Sequence, residues 1–275
     1  MKSRKLFEAS ESKSIYVLVG PPSVGKSTWI EQTFGELKPH VINRDELVEK
    51  VAEEYEYEVV GPDGLKIKKK WTYDDMFISP PADSVKGDVS EKYGKVVPAP
   101  AYMNWHGAPK LVYDKVVEAN GKVQKLYNDK FAGAKGQDNI VVDMTNMNAN
   151  SRKSALKAIE GQEGEYHKVA VVFKFIGSED LIKKVAMKRA EEAAKLGKSK
   201  TIPEEAFNRM FQSYDLQNQG KELSNEEVES KLKQEGFDEV IMKDNIEELK
   251  KVISEVKESN SFKYLKKYES FRKSK

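Results

Sequence analysis

Eight consecutive residues carry the strongest chemical signal in the 275-residue chain. They read Gly-Pro-Pro-Ser-Val-Gly-Lys-Ser and match the spacing G-x-x-x-x-G-K-[ST]. Glycines in such a loop let the backbone curl around a polyphosphate, so that its N–H groups converge on the phosphates at a helix N-terminus. A lysine at this position reaches the β- and γ-phosphates, and the following hydroxyl can bind Mg²⁺. The spacing therefore predicts a site for ATP and Mg²⁺, with Ser27 as the metal ligand, formed by Gly20, Pro21, Pro22, Ser23, Val24, Gly25, Lys26, Ser27 and Thr28.

The elements around this loop are those that the motif requires. Short β-branched runs alternate with longer amphipathic stretches along the chain, which favours a parallel sheet covered by helices, an α/β fold. We predict strands at residues 15–19, 40–42, 139–143, 169–176 and 237–242, and helices at 26–34, 45–55, 111–131, 150–160, 178–196, 203–216, 225–235 and 245–258. The loop thus joins the first strand to the first helix.

The residues after the second and third strands decide between classes of nucleotide-binding protein. Motor ATPases usually end a later buried strand in Asp-Glu, whereas Asp143 is followed here by Met144. The chain also lacks the Asn-Lys-x-Asp element of GTPases. Kinases place a carboxylate near the end of the second strand to deprotonate an acceptor hydroxyl, and Asp45 has that position. The alternative for Asp45 is an N-cap of the next helix. Against it stands the neighbouring Arg44, one of only six arginines among 47 basic residues.

These motifs together resemble a known family. The loop, Ile-Asn-Arg-Asp at residues 42–45 and Asp-Met-Thr-Asn-Met-Asn at residues 143–148 are similar to the phage polynucleotide 5′-kinase group of P-loop kinases. The resemblance implies a three-layer fold with a five-stranded parallel sheet in the order 2-3-1-4-5, and it gives Asp45 the role of general base. It places an acceptor or transition-state group of residues beside the phosphates: Asn43, Arg44, Asp143, Thr145 and Asn146. Helix capping is the alternative for Thr145 and Asn146.

The chain departs from the family pattern at two places. The family's arginine that grips the acceptor phosphate corresponds to Val48. The family's lid carries two arginines, and this chain has Arg189 followed by lysines, among them Lys198 and Lys200. We assign all three residues to transition-state charge stabilisation, with Arg189 as catalytic alongside Lys26 and Asp45. Lysine supplies the charge without the bidentate fork of arginine. The alternative is a solvated, lysine-rich helix end.

Residues 56–110 interrupt the alternation of strands and helices. A structureless loop of this length is uncommon in a compact domain, so we interpret it as an insertion on the acceptor side of a single kinase domain, residues 1–258. It contains lysines and aromatic residues that a nucleic-acid platform would use: Lys66, Lys68, Lys69, Lys70, Trp71, Tyr73, Tyr102 and Trp105. Anchoring of the insertion to the core is the alternative for each aromatic residue. A basic tail, residues 259–275, follows the domain.

Three functions remain open from these residues. The first is an ATP-dependent kinase for a nucleic-acid hydroxyl, either the 5′-hydroxyl end of DNA or RNA or, as a variant, the hydroxymethyl group of a modified base such as 5-hydroxymethyluracil. The second is a nucleoside or nucleotide kinase, and the third is a nucleotide-binding module without catalysis. The family's bifunctional members have an Asp-x-Asp-Gly-Thr phosphatase motif that this chain lacks, so we do not predict phosphate removal.

Composition excludes several other classes. The chain has no cysteine, 33% charged residues and a formal net charge of +2. The missing cysteines exclude disulfides, a thiolate nucleophile and cysteine-based zinc sites. No apolar run approaches the roughly 20 residues of a spanning helix, and no apolar signal region follows the basic first residues. We therefore expect a cytoplasmic protein that does not contact a membrane, located, if the resemblance holds, in a phage-infected host cell.

Overall fold

The computed structural model describes residues 13–60, 65–77, 110–159, 166–196, 198 and 200–258. The predicted basic tail, most of the insertion and the aromatic residues Tyr102 and Trp105 lie outside the described residues. Within the described part of the chain, no helix is both long and apolar enough to cross a membrane.

The elements follow the predicted alternation closely. The strands are β1 (Ser14–Val19), β2 (His40–Ile42), β3 (Glu56–Val60), β4 (Lys66–Lys70), β5 (Asn139–Val142), β6 (His167–Phe173), β7 (Gln217–Asn218), β8 (Lys221–Glu222) and β9 (Glu239–Lys243). The helices are α1 (Lys26–Phe34), α2 (Arg44–Ala52), α3 (Lys110–Ala132), α4 (Ala149–Ile159), α5 (Glu179–Lys195), α6 (Glu204–Ser213), α7 (Asn225–Gln234) and α8 (Ile246–Glu258).

Five parallel strands form the central sheet in the order β2-β5-β1-β6-β9. Numbered along the chain, this is the order 2-3-1-4-5, so the predicted topology is confirmed. β1, β5 and β6 are rich in valine and isoleucine and are almost fully buried, as strands covered by helices on both faces must be. The main apolar core joins these strands to helices that flank the sheet. The α/β fold with a helix-flanked parallel sheet is therefore established.

The helix predicted at 203–216 is shorter in the structure. α6 ends at Ser213, because Tyr214 has extended backbone angles. The ring of Tyr214 is buried 4.7 Å from the ring of Phe175. Burial of an aromatic side chain outweighs continuation of the helix here.

The described part of the insertion folds against the body of the protein. β3 and β4 pair as an antiparallel hairpin that leads to Trp71 and a short 3₁₀ turn, Asp74–Phe77. Trp71 is only 5% exposed and lies 5.0 Å from the ring of Tyr55. It belongs to a second apolar cluster, formed with α2 and α3 by Leu47, Val48, Val51, Ala52, Met76, Val116, Ala119 and Val123. Anchoring, the alternative interpretation, is therefore correct for Trp71, and its prediction as a base-stacking surface was wrong.

Candidate active site

The phosphate-binding loop has a conformation that depends on glycine. Gly25 adopts a left-handed φ of +100°, and a Cβ atom built there would lie 2.6 Å from the amide nitrogen of Asn245. A side chain at this position would therefore be strained by the backbone conformation, and it would require the side chain of Asn245 to move. At the other end, the N–H of Gly20 donates to the carbonyl of Thr145 at 2.9 Å. These contacts fix the loop between β1 and α1.

Lys26 lies over this loop. Its Nζ donates to the carbonyl oxygens of Gly20 at 3.0 Å and Pro21 at 3.3 Å. Burial lowers the pKa of Lys26, although the attraction of Asp143 and Asp45 partly opposes this effect. A polyphosphate in the loop would favour the charged form further, since opposite charges at this range stabilise one another.

A cavity of about 380 Å³ opens beside the loop and brings most of the predicted site residues together. Its lining comes from four parts of the chain: Pro22, Ser23, Gly25, Lys26 and Ser27 from the loop; Asn43, Arg44 and Asp45 after β2; Asp143, Met144 and Thr145 after β5; and Ala186, Arg189, Ala190, Ala193, Lys200 and Ile202 from α5 and the segment after it. The predicted residues outside this lining are Gly20, Pro21, Val24, Thr28, Asn146 and Lys198. Parallel strands end at one sheet edge, which explains why residues so distant in sequence meet here.

Asp45 is not the N-cap of α2. Asn43 has that role, because its side-chain oxygen accepts from the backbone N–H groups of Asp45 at 2.9 Å and Glu46 at 3.4 Å. The carboxylate of Asp45 points elsewhere: Oδ1 accepts from the hydroxyl of Tyr73 at 3.2 Å, and Oδ2 lies 3.4 Å from Nζ of Lys200. The capping alternative therefore does not account for Asp45.

Asp143 follows β5 and is almost completely buried. It accepts a hydrogen bond of 3.1 Å from the amide of Asn43. Burial raises the pKa of Asp143, and the nearby Lys26 opposes this rise. Asn43 thus both caps α2 and orients a carboxylate at the floor of the cavity.

The donor atoms present fit Mg²⁺ bound together with a nucleotide. The described residues contain no group of three or more histidine or acidic side chains that would hold a metal ion alone. Mg²⁺ in nucleotide sites usually keeps water and phosphate ligands and takes one or two oxygen ligands from the protein. The hydroxyl of Ser27 and the carboxylate of Asp143 line the same cavity and are oxygen donors of this kind.

Asn146 connects the segment after β5 to β1. It is 1% exposed, has a positive φ of 45°, and its amide donates to the carbonyl of Leu18 in β1 at 2.8 Å. Its own backbone carbonyl accepts from Arg152 at 3.1 Å. The structure thus ties Asn146 to β1 rather than to the cavity, whereas Thr145 lines the cavity.

The predicted lid residues differ in their surroundings. Arg189 lies on α5 at the cavity wall, and Lys198 is exposed outside it. Lys200 is half-buried, and its Nζ lies 2.8 Å from a carboxylate oxygen of Glu49 and 4.7 Å from the ring centre of Tyr73. Burial alone would lower the pKa of Lys200, but the carboxylates of Asp45 and Glu49 outweigh it and raise the pKa. Lys200 is therefore a permanently charged group beside the candidate base.

Sequence analysis missed the contacts that Glu49 and Tyr73 make. Glu49 lies on α2 one helical turn after Asp45, and its carboxylate contacts the same Lys200, so this i,i+4 spacing was a usable signal. For Tyr73 no local signal existed, because the insertion carries it back to Asp45 across 28 positions of sequence. Burial raises the pKa of Tyr73 far above its ordinary value, so the hydroxyl keeps its proton and acts as a donor.

The chain has no match among family models or curated proteins, and its likeness to a solved structure is distant. A solved structure from the PezAT chromosomal toxin–antitoxin system of Streptococcus pneumoniae is similar over 88% of this chain and 72% of its own. The identity is 12% and the TM-score is 0.44.

Proposed function

We propose that this chain is an ATP-dependent phosphotransferase that moves the γ-phosphate of ATP to an acceptor hydroxyl. One observation carries the proposal: Lys26 of the phosphate loop and the carboxylate of Asp45 line the same cavity. A base placed opposite a phosphate cradle is what a kinase needs.

Asp45, Lys26 and Arg189 have different roles in the transfer. Asp45 takes the proton of the acceptor hydroxyl while the hydroxyl oxygen bonds to the γ-phosphorus and the bond to the β-phosphate oxygen breaks, which releases ADP. Lys26 and Arg189 neutralise the charge on the phosphoryl group during transfer. Mg²⁺ bound with the nucleotide would supply further charge neutralisation, with Ser27 and Asp143 as its protein ligands.

For the acceptor, we propose a hydroxyl of a nucleic acid, most simply the 5′-hydroxyl end of DNA or RNA. The resemblance of residues 42–45 and 143–148 to the polynucleotide 5′-kinases supports it. A hydroxymethyl group on a modified base is the second candidate. Burial of Val48 favours it, because the arginine that would grip the phosphate next to a strand end is replaced here by a core residue.

The test offers ATP labelled at the γ-phosphate with three acceptors: 5′-hydroxyl oligonucleotides, duplex DNA containing 5-hydroxymethyluracil, and free nucleosides. We expect label on the oligonucleotide and its absence when Mg²⁺ is chelated. Label on the modified base alone moves the assignment to that acceptor, and label on nucleosides alone excludes the nucleic acid. No transfer to any acceptor by protein that binds ATP would contradict the kinase proposal.

A second experiment asks whether the hairpin of the insertion meets the nucleic acid. Lys68 and Lys70 are exposed on β4 and form solvent-exposed ion pairs with Glu56, at 3.9 and 3.2 Å. If they meet phosphates, replacement of both by Gln should lower the salt slope of oligonucleotide binding by roughly one unit for each phosphate that is no longer neutralised. Lys233→Gln, which changes an exposed lysine on α7, is the matched control. An unchanged slope would remove β4 from the acceptor surface.

A further inference from the structure

The insertion supplies a side chain that touches the candidate base. The hydroxyl of Tyr73 donates to Oδ1 of Asp45 at 3.2 Å. The ring of Tyr73 lies 4.9 Å from that of Phe77, and its centre lies 4.7 Å from Nζ of Lys200. Tyr73 is therefore a fixed donor rather than a free aromatic surface.

We propose that Tyr73 is a positioning residue, which holds the Asp45 carboxylate in the orientation that receives the acceptor proton. This inference rests on the proposed function. It gives the insertion a part in catalysis in addition to any part in acceptor binding, and it makes transfer depend on a segment that the phosphate-loop motifs do not contain.

Asp45 needs an external support of this kind. The bond from its backbone N–H to Asn43 fixes the main chain only, and the side chain is 50% exposed. The ion pair with Lys200 holds Oδ2, and the hydrogen bond from Tyr73 holds Oδ1. Two contacts from different segments define the direction of the carboxylate, whereas either contact alone constrains only one of its oxygens. The other charged groups near Asp45 are Lys26, Arg44, Glu49 and Asp143.

Tyr73 is itself held by a clasp, which we define as the contact between Asp74 and Thr201. The buried carboxylate of Asp74 accepts from the backbone N–H of Thr201 at 2.9 Å and from its hydroxyl at 3.0 Å. Asp74 directly follows Tyr73, and Thr201 directly follows Lys200. The clasp therefore joins the segment of Tyr73 to the segment of Lys200, directly beside the two residues that contact Asp45.

The variant Tyr73→Phe tests this inference, because it removes one oxygen and keeps the ring contacts with Phe77 and Lys200. Tyr55→Phe is the matched control: Tyr55 also donates to a carboxylate, Glu118 at 3.0 Å, and also packs against the second apolar cluster. We expect Tyr73→Phe to lower kcat roughly 10- to 100-fold through misplacement of the base. The KM for ATP should stay within about two-fold, since the phosphate loop is untouched. The control should match the wild type in both constants.

A second measurement on the same variants needs no transfer. In protein labelled with ¹³C at aspartate carboxyl carbons, the Asp45 resonance should move in Tyr73→Phe and stay in place in Tyr55→Phe. An unmoved Asp45 resonance, or a kcat for Tyr73→Phe within about two-fold of the wild type, would overturn the positioning role. If the wild type transfers phosphate to no acceptor, the proposed function fails, and the resonance alone then decides whether Tyr73 holds Asp45.

Discussion

The two sides of the cavity are held in different ways. On the phosphate side, the loop is fixed by the backbone conformation of Gly25, by the backbone hydrogen bond from Gly20 to Thr145, and by a bond from the side chain of Asn245 to the carbonyl of Val24. On the acceptor side, the contacts are between side chains of α2, the insertion and the segment after α5: Tyr73 to Asp45, Lys200 to Glu49, and Asp74 to Thr201. The phosphate side is thus set mainly by local backbone geometry and the acceptor side by long-range side-chain contacts.

The two sides should therefore differ in their tolerance of side-chain substitutions. Backbone hydrogen bonds survive most side-chain substitutions, and a phosphate loop can therefore keep its shape while the rest of the chain changes. A hydrogen bond between two side chains disappears when either residue is replaced. We expect single substitutions on the acceptor side to alter transfer without altering ATP affinity.

Asp45→Asn is expected to have the largest effect on transfer. The amide keeps the size of the side chain and cannot accept the proton, so the rate should fall roughly 10²- to 10⁴-fold. ATP affinity should be unchanged, because Asp45 belongs to the acceptor side. Isothermal titration with ATP and a transfer assay measure both quantities. Asp114→Asn, an exposed substitution on α3, is the control, and near-normal transfer by Asp45→Asn would remove it as the base.

Lys26→Ala should break the phosphate side without unfolding the protein. The lysine donates to loop carbonyls, and its replacement removes a charge that stabilises the transferring phosphoryl group. We expect transfer to fall roughly 10²- to 10³-fold, with the thermal midpoint close to that of the wild type. Lys38→Ala changes an exposed lysine after α1 and should act like the wild type. Retention of more than about a tenth of the activity contradicts this role.

Arg152→Met tests the buried ion-pair network behind the segment after β5, whose Thr145 accepts the hydrogen bond from Gly20 of the phosphate loop. Arg152 is fully buried, with both carboxylate oxygens of Glu235 at 2.7 Å and one of Asp215 at 2.8 Å, and it also donates to Asn146. Its removal leaves the buried carboxylate of Glu235 without its ion pair, which costs about 3 kcal/mol or more of stability. Denaturant unfolding measures this loss. The exposed Arg209→Met on α6 should change stability by less than about 0.5 kcal/mol. A loss of less than about 1 kcal/mol in Arg152→Met would show that the network adds little.

Asp75→Asn should have the smallest effect of these variants. It should change the free energy of unfolding, by an amount that depends on pH. Burial raises the pKa of Asp75 to about 6, although its Oδ2 accepts hydrogen bonds from Thr72. An unfolded aspartate titrates near a pKa of about 3.9, so the folded protein holds the proton more tightly and loses stability as pH rises from about 4 to about 6. This loss amounts to about 1 kcal/mol between about pH 5 and pH 7.

The Asp75→Asn variant removes this dependence because it carries no titrating group at this position. Unfolding free energies measured at about pH 5 and pH 7 should therefore favour the variant more at the higher pH, by about 1 kcal/mol. An equal difference at both pH values would mean that the buried carboxylate is not destabilising when it is charged.

The fold was predictable to a large extent, because its signals are local. The valine-rich strands and the Gly-Lys-Ser junction are each recognisable within about ten residues, and the resemblance supplied the strand order. Capping was less predictable. The sequence allowed Asp45 as the N-cap of α2, which would make the helix begin at Glu46. In the structure α2 begins at Arg44, so Asn43 is the N-cap. Sequence alone does not choose between neighbouring polar residues at a helix start.

The acceptor side was largely outside the reach of sequence analysis. Tryptophan beside lysines is typical of nucleic-acid contacts, so the sequence allows Trp71 either as a binding surface or as a core anchor, and the structure shows a core residue. Val48 appeared as a departure from a family pattern, and the structure gives its reason: the insertion covers this face of α2. Both outcomes depend on packing between segments that are distant in sequence, which no local pattern encodes.

The second apolar cluster is separate from the main core, and Tyr127 on α3 is a residue that packs against both. A cluster with its own packing can open while the sheet stays folded. In hydrogen exchange, the amides of α2, the 3₁₀ turn and the middle of α3 should therefore lose protection together, before those of β1 and β6.

The same separation matters for engineering, because the insertion packs against α2 and α3. An insertion from another protein can be exchanged successfully only together with the inner face of α2 and the facing residues of α3.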